Sequence, residues 1–109
     1  MERVVVTGGT GYVGRALVRR LSTAGRPVTV LSRAARLPKD LAELPGVVAR
    51  EWDPSRVGDW CQALEGAGAV VHLAGRKAVG ERYTARVKRE IFDSRVVSTE
   101  VLVSALERV

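Results

Sequence analysis

The sequence predicts an α/β fold: a doubly wound parallel sheet, partial, of about four strands in the order 3-2-1-4 with helices on both faces. Two observations carry this. Short strand-like runs alternate with stretches of helical periodicity, and a glycine-rich loop stands between the first strand and the first helix. Strands separated by helix-length segments must be connected by right-handed crossovers, so they lie parallel and are buried on both faces.

Arg3 to Thr7 (RVVVT) is the first strand. Gly11 to Gly25 reads as a helix, with Val13, Ala16, Leu17, Leu21 and Ala24 at helical spacing and Arg15, Arg19 and Ser22 on the opposite face. Pro27 to Ser32 is the second strand, Lys39 to Leu44 one or two helical turns, and Val47 to Trp52 the third strand. Asp53-Pro54-Ser55 has the form of a helix start, a capping acceptor followed by proline, leading into Arg56 to Glu65. Gly68 to Ala74 is the fourth strand, and Gly80 onward a long helix to the end of the chain.

The bounds agree with one small domain, residues 1–109. Of these, 46 % are hydrophobic and 28 % charged, a composition able to bury a core. No apolar run reaches the roughly 18 residues of a membrane span, and the start does not resemble a signal peptide. A single cysteine, Cys61, excludes an intrachain disulfide or a cysteine-built metal site and suits a reducing, cytoplasmic setting. Cys61 has no flanking base and reads as a small buried hydrophobe. The net charge is +6, with 15 arginines among the 18 basic residues. They are scattered, without a basic run or interleaved aromatics, which argues against nucleic acid and for a phosphorylated small ligand.

The stretch VVVTGGTGYVGRALVRRL (Val4 to Leu21) names that ligand's class. Gly8, Gly11 and Gly14 stand between a strand and a helix inside a βαβ unit, the Rossmann-like arrangement for a dinucleotide. The first glycine permits the tight turn, the second lets backbone approach a diphosphate, and the third lets helix and strand pack closely. Free N–H groups at Thr10 to Val13, Tyr12 included, and the positive end of the helix dipole would hold the anion. The second strand ends in Ser32-Arg33, where an NAD site wants an acid, and the first carboxylate after it is Asp40. A guanidinium pairs with a 2′-phosphate and a carboxylate repels one, so NADP is preferred over NAD, with Arg36 able to share the role.

Taken with TVLSR, EWDP, VVHLAG and ERYTARVKREIFDSRVVSTEVLVSAL, that stretch resembles the N-terminal part of the atypical, epimerase-like short-chain dehydrogenases/reductases. The narrower likeness is to the branch described as sugar-nucleotide epimerase or cell-division-inhibitor-like. The resemblance runs through essentially the whole chain but covers about the first third of such a protein. It implies NADP(H) held by the glycine loop, by Ser32 and Arg33, and by the end of the fourth strand at His72, Leu73, Ala74 and Gly75. Glu90 and Arg95 on the last helix are implied as further cofactor contacts, and Asp53 matches the position that meets the adenine amino group in extended relatives; a helix cap is its other role. This sequence departs from the branch in having His72 for asparagine, Arg76 for a glutamate-like residue and Tyr83 for tryptophan. At His72 a ring nitrogen can take over the hydrogen bond, and a satisfied core histidine is the other reading.

The Tyr-x-x-x-Lys pair of such enzymes is missing: Tyr12 is followed at that spacing by Ala16 and Tyr83 by Val87, so no catalytic residue is assigned. Two functions follow, the cofactor half of an NADP-dependent reductase or epimerase-like enzyme, and a non-catalytic nucleotide-binding or redox-sensing module. An edge at the fourth strand and an exposed apolar face of the last helix, through Val87, Ile91, Val101, Leu102 and Ala105, further predict self-association through that edge or helix, or else a fragment of a longer protein.

Overall fold

A computed structural model of the chain describes residues 2–74 and 85–109, without the side chain of Val87. Four parallel strands form one sheet in the order β3-β2-β1-β4, as the sequence predicts. They are β1 (Val4–Thr7), β2 (Val28–Ser32), β3 (Val47–Glu51) and β4 (Ala69–His72). Helix α1 (Tyr12–Thr23) follows β1, the single turn α2 (Lys39–Ala42) precedes β3, and α3 (Ala85–Arg108) closes the described chain.

The two central strands are valine-rich because both their faces are covered. Val4, Val6, Val28 and Val30 pack under α1 and α2 with Val18 and Leu41, while Val5 and Leu31 face Trp52, Trp60, Leu64, Leu102 and Ala105 on the other side. Burying each such side chain is worth roughly 1.5–3 kcal/mol.

Three expectations are corrected. The buried stripe of α1 is Gly14, Val18 and Ser22, flanked by Leu17 and Leu21, whereas Val13 is 64 % exposed. Gly14 sets this rotation by lying against the loop, and Ser22 is buried because its hydroxyl donates to the Pro45 carbonyl at 2.9 Å. Asp53 does not open a helix. Its carboxylate accepts from the Ser55 amide at 2.8 Å and from the Ser55 hydroxyl, closing a local turn, and a 3₁₀ helix forms later, over Asp59–Leu64. Finally, Leu102 and Ala105 of α3 are buried and Ile91 and Val101 half-buried; the large exposed apolar residues described there are Phe92, Val97, Val103 and Leu106 of α3, and Val109 just after it.

Candidate nucleotide-binding site

Parallel strands release their carboxyl ends on one edge of the sheet, and at the order reversal between β1 and β4 a crevice must open. It does: a cleft of about 1600 Å³ lies over the ends of β1, β2 and β4 and against α3. Small-ligand sites run to roughly 300–1,000 Å³, so this one has room for an extended dinucleotide.

The glycine loop forms its floor. Gly8 has φ +70°, and a Cβ there would stand 2.6 Å from the Leu73 carbonyl carbon, so β1 and β4 leave the sheet in backbone contact. At Gly14 a Cβ would lie 2.1 Å from the Gly8 carbonyl oxygen, so the start of α1 is packed directly on the loop. Gly11 differs. Among the described residues only the Gly8 carbonyl oxygen, at 3.4 Å, comes within 4 Å of its Cβ position, at the near edge of ordinary contact, so none of them requires glycine there.

Gly11 is the N-cap of α1 and makes no side-chain cap hydrogen bond. The first intrahelical bond is Arg15 N–H to the Gly11 carbonyl at 2.8 Å, and among the described residues no acceptor is recorded for the amides of Tyr12, Val13 and Gly14. Orphan amides, added to the partial positive charge of the helix end, make this the natural seat of an anion. Thr10, Tyr12 and Val13 line the cleft beside them, Tyr12 being 95 % exposed.

At the β2 end, Ser32 and Arg33 line the cleft, joined by Trp52, whose amide donates to the Ser32 carbonyl at 2.9 Å. No carboxylate competes with Arg33 from Asp40, which is bound instead to Arg15 and Arg19 of α1; hydrogen bonds from those two guanidinium groups hold its carboxyl below the usual carboxylate range. Asp53 lies just outside the lining, which takes in its neighbours Pro54 and Ser55. Its carboxyl is lowered first by the Ser55 hydroxyl and amide, with smaller contributions from Arg56 and Arg33.

Leu73, Ala74, Glu90 and Arg95 complete the expected lining, while Gly75 falls outside the described residues. Glu90 lies 3.6 Å from Arg86. His72 does not line the cleft. It lies beneath it, its Nδ1 2.6 Å from the Thr7 hydroxyl and its Nε2 3.0 Å from the Ser98 hydroxyl, with its ring edge-on to Trp52 at 6.3 Å. Burial, reinforced by the Arg95 charge, holds it below the ordinary histidine value.

Sequence reasoning did not find Thr7, Trp52 or Ser98. Thr7 ended a valine run and passed as one more β-branched residue; a hydroxyl at a fully buried strand end is the signal that was present, since it must find partners. No group of three or more His, Cys, Asp or Glu suited to a metal occurs among the described residues, nor any helix long and apolar enough to cross a membrane.

A parallel βαβ sheet with a glycine loop at the switch point defines a Rossmann-type nucleotide fold. Residues 4–109 match the model of the NAD dependent epimerase/dehydratase family, and the chain belongs to that family. Among its relatives are the chloroplastic homolog of epimerase family protein SDR39U1 of Arabidopsis thaliana, 33 % identical over 94 % of this chain and 29 % of its own length, and the Homo sapiens SDR39U1, 31 % identical over 97 % and 32 %. Similar solved structures include human SDR39U1 (isoform 2) with NADPH, at TM-score 0.67 and 28 % identity over 98 % of this chain and 32 % of that one. UDP-glucose 4-epimerase from Stenotrophomonas maltophila with bound NAD superposes at TM-score 0.72, 26 % identical over 98 % and 34 %. The chain spans about a third of the length of these relatives.

Proposed function

We propose that the cleft binds NADP(H), in preference to NAD(H), and that residues 1–109 are the cofactor-binding part of an NADP-dependent epimerase-like or reductase-like enzyme. The observation that carries this is Gly11: a glycine that none of the described residues requires, at the mouth of a helix whose first amides find no acceptor among them. A diphosphate seated there takes those N–H groups as donors and excludes a side chain by its own bulk. The nicotinamide supplies hydride exchange when bound.

The chain's own residues bind and orient. Tyr12 and Val13 would cover the diphosphate, Ser32 and Arg33 would take the 2′-phosphate, Leu73 and Ala74 would run beneath the nicotinamide ribose, and Glu90 and Arg95 would close the far wall. Asp53, beside the lining, would meet the adenine end. The relative solved with NADPH supports the phosphate preference, and Asp40's engagement by α1 supports it from within this chain. Association with a second copy through the free edge of β4 or the exposed apolar residues of α3 belongs to the same reading.

The test is a titration followed by energy transfer from tryptophan to reduced nicotinamide, with NADPH and NADH in parallel. Arg33→Ala should weaken NADPH by about 10- to 100-fold, the loss of a charge-assisted bidentate contact, while leaving NADH within about 3-fold. Equal losses for both nucleotides would remove Arg33 from the 2′-phosphate, and no binding of either by the unaltered chain would end the proposal.

A further inference from the structure

Beneath the cleft a chain of hydrogen bonds crosses from β1 through β4 to α3, and counting its donors and acceptors fixes every proton in it. The Thr7 hydroxyl oxygen accepts from the Leu73 amide at 3.0 Å and from the Ala74 amide at 3.1 Å. That uses both lone pairs, so its own O–H must donate, and the partner in reach is His72 Nδ1 at 2.6 Å. His72 Nδ1 is therefore the unprotonated nitrogen and Nε2 carries the hydrogen, which it donates to the Ser98 hydroxyl at 3.0 Å. Ser98 in turn donates to the Ser94 carbonyl at 2.6 Å, one turn back on α3. Thr7 is fully buried and Ser98 nearly so, so neither has solvent as a substitute partner.

We propose that His72 is a positioning residue: as the neutral Nε2–H tautomer it orients the Thr7 hydroxyl so that its oxygen holds the Leu73 and Ala74 amides against the glycine loop, and protonation of His72 releases the Ala74 amide. An imidazolium presents N–H at both nitrogens. The Thr7 oxygen would then face three donors with two lone pairs, and one amide must let go. The Leu73 amide also donates to the Thr7 backbone carbonyl at 3.1 Å, whereas for the Ala74 amide the only acceptor recorded among the described residues is the hydroxyl. Ala74 is thus the weak point, and it lines the cleft two residues past the end of β4.

The surroundings favour the neutral ring. From β1 it meets Thr7, from the segment after β3 the edge of Trp52, and from α3 Ser98 and the positive charge of Arg95; none of these is a carboxylate that would stabilise an imidazolium. Partial burial works in the same direction.

This inference rests on the nucleotide reading for its purpose but not for its test. His72 is the one histidine of the chain, so its ring nitrogens are self-assigned in a long-range ¹H–¹⁵N spectrum of the uniformly labelled, ligand-free protein. The expected result is the Nε2–H tautomer at pH 8, titrating below the ordinary value, with the Ala74 amide shifting and losing exchange protection at the same midpoint. The Nδ1–H tautomer, or an Ala74 amide indifferent to the ring's titration, would overturn it. Thr7→Ser, which keeps the hydroxyl, should preserve both signatures, and Thr7→Val should abolish them; if Thr7→Val does not fold, the spectrum of the unaltered chain still decides. A chain with these signatures that binds no NADPH at any pH contradicts the proposed function and leaves this inference standing.

Discussion

Two glycines of one motif answer to different masters. Gly14 is demanded by the fold, since a Cβ there would occupy the Gly8 carbonyl oxygen's place, while none of the described residues demands glycine at position 11. Gly14→Ala should therefore destabilise the protein by about 1–3 kcal/mol or more, the range of overpacking, as read from urea unfolding. Gly11→Ala should leave the urea midpoint nearly unchanged and abolish NADPH binding. A Gly11→Ala protein that binds normally would remove the diphosphate from this loop. The glycine spacing was legible in the sequence because the motif stands between a strand and a helix that follow one another along the chain. The Thr7–His72–Ser98 network was not, because its members are 65 and 26 residues apart and only the fold brings them together. His72 accordingly has both ring nitrogens within hydrogen-bond reach of hydroxyls of the fold, just outside the lining of the cleft.

β1 and β2 were legible as valine-rich runs that are almost wholly buried, whereas β3 and β4, largely half-buried or exposed, were legible from their place in the alternation of strands and helices. The misread element was the segment after β3. Asp53-Pro54-Ser55 has the form of a helix start, but the Asp53 carboxylate turns back onto Ser55 two residues on, and the chain reaches its 3₁₀ helix only at Asp59. That short helix presents Trp60 and Leu64 to Trp52, with the two indole rings 5.2 Å apart and edge to face. Helix α3 docks there through Leu102 and Ala105. Ala105 is fully buried, so Ala105→Leu should cost about 1–3 kcal/mol by overpacking, whereas Leu106→Ala, on the outer face, should stay within about 0.5 kcal/mol. Chemical denaturation of the two variants checks the pair, and similar losses for both would mean that α3 is seated on another face.

For the whole molecule, the sheet order followed from the alternation of elements and the rule of right-handed crossovers. The packing of α3 did not, because helical periodicity does not say which apolar positions a single short helix will cover. With Phe92, Val97, Val103, Leu106 and Val109 exposed and β4 at the sheet edge, we expect light scattering to show a species larger than one chain at high protein concentration. A monomer throughout would dismiss that association. Stability should also depend on pH through His72. Its native value is depressed, so the unfolded chain binds the proton first as pH falls; the contribution is complete above the ordinary 6.5 and is lost below it, toward the lower native value. Thermal melts at pH 7.5 and 5.5 should show this loss in the unaltered protein and a smaller one in His72→Asn, which has no proton to gain. Equal losses in both would assign the acid sensitivity elsewhere.

The central claim is that a dinucleotide lies over the glycine loop with its 2′-phosphate at Arg33. Adding NADPH to the ¹⁵N-labelled chain and following the backbone amides measures this directly. The account predicts shifts at Thr10 to Gly14, at Ser32 and Arg33, and at Leu73 and Ala74, with NADH reproducing the first and last groups but not the middle one. Shifts confined to other surfaces, or a spectrum unchanged at millimolar NADPH, would contradict it.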